Sequence, residues 1–279
     1  GVVMYLIQRL FGSIHKMQAG RHAVSQSLVS ARHVLDVTRA ITAHREINNG
    51  EDAFSFDHDV EFRNVSFAYD AYRPVLTNVS FQIRKNELVG VIGPSGAGKT
   101  TVADLMLRFF TPDSGEILLD GKNIATVELQ DYRKHIGYVS QDIFLMNDTI
   151  ENNIKFYDSD IDDTRMIDAC KRACIYDFII GLETGFKSAV GDRGILLSGG
   201  QRQKVQLART LALDAQVLLL DEPFGVLDPD SHGAVARTLA EHIRASGRCA
   251  LVVSHSPGDV EALGAFEARL RNGWLGSRV

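Results

Sequence analysis

The sequence predicts an α/β domain with a mainly parallel core sheet, preceded by a long N-terminal helix. Three observations carry that prediction. Residues up to about Ile47 contain no proline and place Leu10, Ile14, Met17, Val24, Leu28, Ala31 and Leu35 at helical spacing. Beyond Glu51-Asp52, short runs of strand type interleave with segments of helical period, the order that builds parallel strands covered by helices. The 279 residues, 45% hydrophobic and 23% charged, suffice for one large domain or two small ones with a sizeable core.

The opening segment is bounded by Asn48-Asn49-Gly50, a helix stop, so residues 1–50 are separated from a domain over 51–279. A continuous helix of that extent would be roughly 70 Å long and would need support from outside the chain. It is expected to be the cytoplasmic end of a transmembrane helix with residues 1–8 as its last membrane turns. The alternative is a pair of surface helices hinged near Gly20. The apolar run Val2–Ile7 is ended by Arg9, well short of the ~20 residues a spanning helix needs. It has no initiator Met, no basic region ahead of it and no small-residue cleavage site, so it is no signal peptide, and the chain is expected to be a piece of a longer protein.

Within the domain, Val60–Phe67 alternates, Val79–Ile83 follows, and Leu88–Ile92 is apolar throughout, all strand signals. Further buried strands are expected near 115–119, 136–140, 216–221 and 249–254, and helices near 99–109, 163–180, 199–212 and 231–245. No repeat or low-complexity segment is present. A net charge of -5 offers no basic surface for the phosphate contacts that dominate nucleic-acid binding, so no nucleic-acid partner is expected. The three cysteines, Cys170, Cys174 and Cys249, form no zinc-type pair and read as reduced thiols packed as small hydrophobes.

The chemistry begins where Leu88–Ile92 ends. Gly93-Pro94-Ser95-Gly96-Ala97-Gly98-Lys99-Thr100 matches GxxxxGK[ST] in the strand–loop–helix setting the pattern requires. Its glycines let backbone N–H groups turn around α- and β-phosphates at a helix N-terminus. Lys99 supplies a cation near the β/γ oxygens, and the Thr100 hydroxyl can ligate Mg²⁺. Val217–Leu220 is an apolar strand ending in Asp221, which can hold Mg²⁺ through water, and Glu222 follows within reach of an attacking water. Two such acids alone could be surface residues; a phosphate loop upstream makes them catalytic candidates. Leu197-Ser198-Gly199-Gly200-Gln201 opens a helix with a second anion-receptive N-terminus, and Ser198 also serves as its cap.

That pentapeptide resembles the signature of ATP-binding cassettes, and with it the whole chain resembles the ATP-binding cassette of ABC transporters, of exporter type. The resemblance implies a P-loop NTPase fold with an N-terminal antiparallel β subdomain and a helical signature subdomain. It implies ATP and Mg²⁺ as ligands. Tyr69 matches the aromatic that stacks on adenine, and Gln141 the glutamine that touches Mg²⁺ and the nucleophilic water. Thr101 extends the phosphate loop. Asp228 matches the loop that speaks across a dimer, and His255 the histidine that contacts the γ-phosphate. Catalysis is thereby assigned to Glu222, His255, Gln141 and Lys99, metal binding to Thr100, Gln141 and Asp221, and contacts from a second copy to Ser198, Gly199, Gly200, Gln201 and Asp228.

Val190-Gly191-Asp192-Arg193-Gly194 resembles the loop with which exporter cassettes couple to their membrane domain, and Ala31–Asp36 the segment that joins an exporter's last transmembrane helix to its cassette. The implied partners are a second cassette, head to tail, and a transmembrane domain, fused upstream or on another chain. The implied location is the cytoplasmic face of a membrane, the inner membrane in a bacterium. Two stretches depart from the family wording: Gly225-Val226-Leu227-Asp228, where relatives begin with Ser, and Ser256-Pro257-Gly258-Asp259 after His255. The rival functions are a soluble ABC ATPase, which would carry a long coiled-coil insertion or two cassettes, and a cassette that binds ATP without hydrolysing it.

Overall fold

The chain divides into two compact units, Gly1–Asn48 and Asn49–Val279. The computed structural model describes residues 1, 2, 4, 9–10, 17–18, 28, 30–39, 50–70, 72–271 and 273–275. In the first unit residues 30–39 are helical, α1, with side chains exposed. The continuity of the long helix to Ile47, the hinge near Gly20 and the stop at Asn48-Asn49 lie outside the described residues. No helix among the described residues is long and apolar enough to cross a membrane.

The second unit starts with a strap. The backbone N–H groups of Glu51 and Asp52 both donate to the Thr126 carbonyl at 3.0 Å. Gly50 presses so closely on residue 127 that an added Cβ would lie 2.0 Å from the Val127 carbonyl oxygen. Phe54 stacks on His135 with ring centroids 4.3 Å apart, and Phe56 is buried in the core.

Two sheets follow. β1 (Asp59–Ala68), β2 (Pro74–Arg84), β4 (Ser114–Leu119) and β5 (Lys122–Asn123) form an antiparallel sheet in the order β2-β1-β4-β5. The buried set of β1, Val60 and Phe62 followed by Val65 and Phe67, slips by one residue at Asn64, whose φ of 52° marks a bulge. The second sheet runs β10-β9-β3-β8-β7-β6: β3 (Leu88–Ile92), β6 (Ile136–Val139), β7 (Val217–Asp221), β8 (Cys249–Ser254) and β9 (Phe266–Arg271) are mutually parallel, and β10 (Trp274–Leu275) closes one edge antiparallel. Every residue of β3, β7 and β8 is buried, as unbroken apolar runs require when both faces of a parallel sheet are covered.

Helices α2 (Lys99–Met106), α3 (Leu129–Lys134), α4 (Ile150–Lys155), α5 (Asp163–Arg172), α6 (Tyr176–Ile180), α7 (Gly199–Ala212), α8 (Pro229–Ala245) and α9 (Pro257–Leu263) complete the unit. The segment expected as one helix over 163–180 is two. Cys174 adopts φ 52°, the Ile175 N–H closes onto the Cys170 carbonyl at 3.0 Å, and the Ile175 side chain is buried, an apolar helix stop without glycine. α8 begins two residues before the expected start because Asp228 caps the Ser231 N–H at 2.9 Å and Pro229 suits a first helical turn.

The strap residues make their contacts within the second unit, so a chain beginning at Asn49 is expected to fold and unfold cooperatively as the parent domain does, followed by circular dichroism. Phe56→Ala in the same chain is expected to cost about 3 kcal/mol in urea unfolding, the scale for emptying a buried aromatic site. An unchanged midpoint would show that the strap contributes nothing.

Candidate functional site

Parallel pairing sets Ile92 opposite Ser254 and Asp221 opposite Val253, so the chains leaving β3, β7 and β8 emerge at one edge of the sheet. Between Ile92 and Lys99 the backbone makes a loop that only glycine accommodates at two points: Gly96 has φ 77° and Gly98 φ 99°. A Cβ on Gly93 would lie 2.4 Å from the Leu270 carbonyl oxygen. The loop ends directly on α2, whose first turn carries no acidic side chain. Its N–H groups and dipole therefore present unneutralised positive potential to the cleft.

That cleft has a volume of about 400 Å³. Ser95, Gly96, Gly98, Lys99, Thr100 and Thr101 line one side of it, and Gln141, Asp221, Glu222, His255 and Tyr69 the rest. Lys99 is 9% exposed, and its Nζ donates to the carbonyls of Gly93 at 2.9 Å and Pro94 at 3.1 Å, which holds the ammonium across the loop mouth. The Thr100 hydroxyl donates to Asp221 Oδ2 at 3.4 Å. Asp221 is 2% exposed. Burial, and then the neighbouring Glu222 charge, push its carboxyl up to about 6, against the smaller opposing pulls of Thr100 and Lys99.

Glu222 turns away from the strand with φ 49°, a left-handed conformation that costs a non-glycine residue of order 1 kcal/mol. That turn delivers its carboxylate to His255: Oε1 accepts the His255 backbone N–H at 2.9 Å and lies 2.8 Å from ring Nδ1. Since a carboxylate only accepts, Nδ1 carries the proton in this pairing. Tyr69 is half exposed, edge-on to Phe67 and Phe110 at 5.0 and 5.1 Å, with its hydroxyl bonded to Thr101 Oγ1 at 3.1 Å and to Asp104 Oδ2 at 3.0 Å.

Ser198, Gly199, Gly200 and Gln201 do not line the cleft, nor does Asp228. Ser198 and Gln201 form a reciprocal cap at the start of α7: the Gln201 N–H donates to Ser198 Oγ at 3.2 Å, and the Ser198 N–H to Gln201 Oε1 at 2.8 Å. Asp228 caps α8, and the Ser231 hydrogen bonds hold its carboxyl below the ordinary range. Beside the cleft, and sharing Gln141 with it, lies a second groove of about 490 Å³ lined by Asp142, Ile143, Asp192, Arg193, Ile195 and Arg202. Ile195 is exposed there, as is Leu196, its neighbour in sequence. Sequence reasoning missed Ser254, Asp259, His232 and Gln203, which contact Glu222 directly or through one another. Ser254 adjoins His255 and could have been suspected; nothing in the spacing of His232 and Asp259 announces their pairing.

Thr100, Asp221 and Gln141 line the cleft and offer oxygen atoms of the kind that Mg²⁺ takes, two or three protein groups completed by phosphate and water. Among the described residues no cluster of three or more His, Cys, Asp or Glu could hold a metal by itself.

The family model described as ABC transporter matches residues 76–225. The chain belongs to the ABC transporter family. The cassette is 34% identical over 246 residues to the ATP-dependent lipid A-core flippase of Syntrophus aciditrophicus, covering 88% of this chain and 40% of the flippase. It is 34% identical over 252 residues to ATP-binding cassette sub-family B member 6 of Rattus norvegicus, covering 90% of this chain and 29% of that protein. Among solved structures it is similar to a bacterial Atm1-family ABC exporter with ATP bound, with TM-score 0.81 and 34% identity over 88% of this chain and 43% of the exporter chain. The matched fold is the P-loop cassette of exporter type, with its parallel core, antiparallel β subdomain and helical subdomain. The chain spans less than half the length of these relatives.

The raised Asp221 carboxyl has a consequence for the ligand-free cassette. A carboxyl whose folded pKa exceeds its unfolded value costs stability when ionised. The cost is full above about pH 6 and disappears as pH falls below the unfolded value of 3.8. Asp221→Asn is therefore expected to stabilise the ligand-free protein by about 2–3 kcal/mol at pH 7.5, with the gain fading toward pH 4. Thermal unfolding across that range measures it, and a gain that grows on acidification would contradict the assignment.

Proposed function

We propose that this cassette binds MgATP in the cleft and hydrolyses it by in-line attack of water on the γ-phosphate, the work being substrate export through a membrane domain. The observation that carries this reading is the convergence of Lys99, Thr100, Asp221, Glu222 and His255 on one cleft, with Glu222 and His255 already hydrogen bonded. Lys99, now bonded to two loop carbonyls, would transfer to the β/γ oxygens. Mg²⁺ would be held by Thr100 and Gln141 and, through water, by Asp221; the cation would also remove the penalty of ionising that buried carboxyl. Tyr69, half exposed at the cleft, would stack on the adenine. Glu222 polarises the water, and Lys99 and His255 stabilise the charge that develops.

The position of the signature supports a two-chain site. Ser198-Gly199-Gly200 and Asp228 lie off the cleft of their own chain, so a second cassette, head to tail, would bring its α7 N-terminus to this γ-phosphate. Closure would exclude water and strengthen the electrostatics; hydrolysis would remove the bridging charge and let the halves separate. The groove at Asp192, Arg193 and Ile195 would receive the membrane domain, placing the cassette on the cytoplasmic face of a membrane, the inner one in a bacterium. Residues 1–50 are read as the end of a transmembrane helix with its linker. The paired Glu222 and His255 favour hydrolysis over ATP binding alone. No long insertion separates Gly98 from Ser198, which disfavours a soluble repair-type ATPase.

Lys99→Ala is expected to abolish stabilisation by MgATP while leaving the fold intact, because a cation beside a polyphosphate contributes several kcal/mol of charge-assisted bonding. Equal thermal shifts in parent and variant would remove Lys99 from the phosphates. Glu222→Gln, which keeps the shape and loses the charge, is expected to accumulate an ATP-dependent dimer and nearly stop turnover, whereas Ser198→Arg should bind ATP as a monomer. Sedimentation with and without MgATP distinguishes them. A Glu222→Gln protein that stays monomeric at every ATP concentration counts against the shared site.

A further inference from the structure

Behind Glu222 lies a chain of hydrogen bonds that reaches α8. Ser254 is fully buried at the end of β8, and its hydroxyl has one proton to give. One lone pair takes the Ser256 N–H at 3.0 Å. Two carboxylate oxygens compete for the proton: Asp259 Oδ2 at 2.6 Å and Glu222 Oε2 at 3.3 Å. A shared proton goes to the nearer charged acceptor, which is Asp259. The other oxygen of Asp259, Oδ1, lies 3.0 Å from His232 Nε2, and the His232 ring stands edge-on to Phe224 with centroids 4.8 Å apart. Asp259 is 8% exposed and has both oxygens engaged.

The consequence falls on Glu222. Its Oε1 is occupied by the His255 backbone and ring, and its Oε2 has the Ser254 hydroxyl as its one partner among the described residues. We propose that Asp259, oriented by His232, is a positioning residue for Glu222: by holding the Ser254 proton it keeps Oε2 open to accept a hydrogen bond from the attacking water. The assignment rests on the hydrolytic reading above. Without Asp259, rotation about the Ser254 Cβ–Oγ bond would turn the proton onto Oε2, taking one of its two lone pairs and weakening the oxygen as an acceptor for the water. Asp259 touches neither the phosphate loop nor Thr100, Gln141 or Asp221, so the defect belongs to turnover and not to ATP binding.

The test is steady-state ATP hydrolysis by the 279-residue chain, with thermal unfolding recorded for each variant. Asp259→Ala is expected to lower kcat about tenfold, the scale of one misplaced hydrogen bond, with KM for ATP within about twofold of the parent. Asp259→Asn keeps an acceptor toward Ser254 and is expected to restore kcat to within about threefold. Ser254→Ala/Asp259→Ala has no proton to misplace and is expected to match Ser254→Ala alone. A purely structural Asp259 would instead give an additive loss in the double variant, no rescue by Asn, or a rise in KM alongside the fall in kcat, and any of these overturns the proposal. If Asp259→Ala does not fold, the same cycle run with His232→Ala decides: a loss in kcat that vanishes in the Ser254→Ala background supports the relay, and one that persists overturns it. A parent that binds MgATP but releases no phosphate refutes the hydrolytic reading itself, an outcome separate from these.

Discussion

Parallel register between β3, β8 and β7 is the constraint on which the site depends. Ile92, Ser254 and Asp221 are the last residues of three adjacent strands, so the loop that follows each begins at the same edge of the sheet. The phosphate loop, the acid pair and the histidine are far apart in sequence, yet none needs a long side chain to reach the others. Register in a sheet buried on both faces is itself fixed by packing, since a slip of one residue would exchange which side chains of Val89, Leu219 and Leu251 face each layer. Stability of the core and geometry of the cleft are therefore the same quantity viewed from two ends of the strands.

The cleft works against that stability. Asp221 is buried beside a second carboxylate and ionises only at a cost, Glu222 holds a left-handed backbone, and Gly96 and Gly98 are bent in ways other residues resist. The compensations are local. Lys99 satisfies two loop carbonyls, His255 secures one oxygen of Glu222, and the Ser254 hydroxyl lies against the other. On the proposed reading a ligand would replace these bonds: the carbonyls would yield Lys99 to phosphate, and a divalent cation would favour the ionised form of Asp221.

Much of this was legible in the sequence because it rested on local rules. The span 199–212 was recovered to the residue, since Ser198 and Gln201 make a reciprocal cap and Leu213 leaves the helical conformation. The unbroken apolar runs identified β3, β7 and β8, and the glycine pattern located the loop between β3 and α2. What stayed hidden depended on long-range contact. The division of 163–180 into two helices turns on Ile175 finding a buried seat, which no periodicity reveals. The pairing of His232 with Asp259 joins two helices through positions that read as ordinary polar residues; β9 is too rich in charge, and the edge strand β10 too short, to stand out. The departure noted at Ser256–Asp259 was visible as unusual wording, yet its meaning required the Ser254 contact.

One feature of α7 ties these levels together. Its N-terminus is ordered by a reciprocal cap that takes the N–H groups of Ser198 and Gln201, so the signature is already a formed helix start. Further along, Gln203 donates to the Glu222 carbonyl at 3.4 Å, and Lys204 to the Ser231 hydroxyl at 2.8 Å, in the first turn that Asp228 caps. The helix that would offer its N-terminus to another chain's phosphate is therefore bonded to the backbone of Glu222 in its own chain and to the start of α8. From α8, His232 returns to Glu222 through Asp259 and Ser254. A displacement of α7 on meeting a second cassette would reach Glu222 along both routes, one through its carbonyl and one through the hydroxyl beside its carboxylate. On the proposed two-chain reading, these packed, hydrogen-bonded elements would give engagement of α7 a route to Glu222 of the same chain.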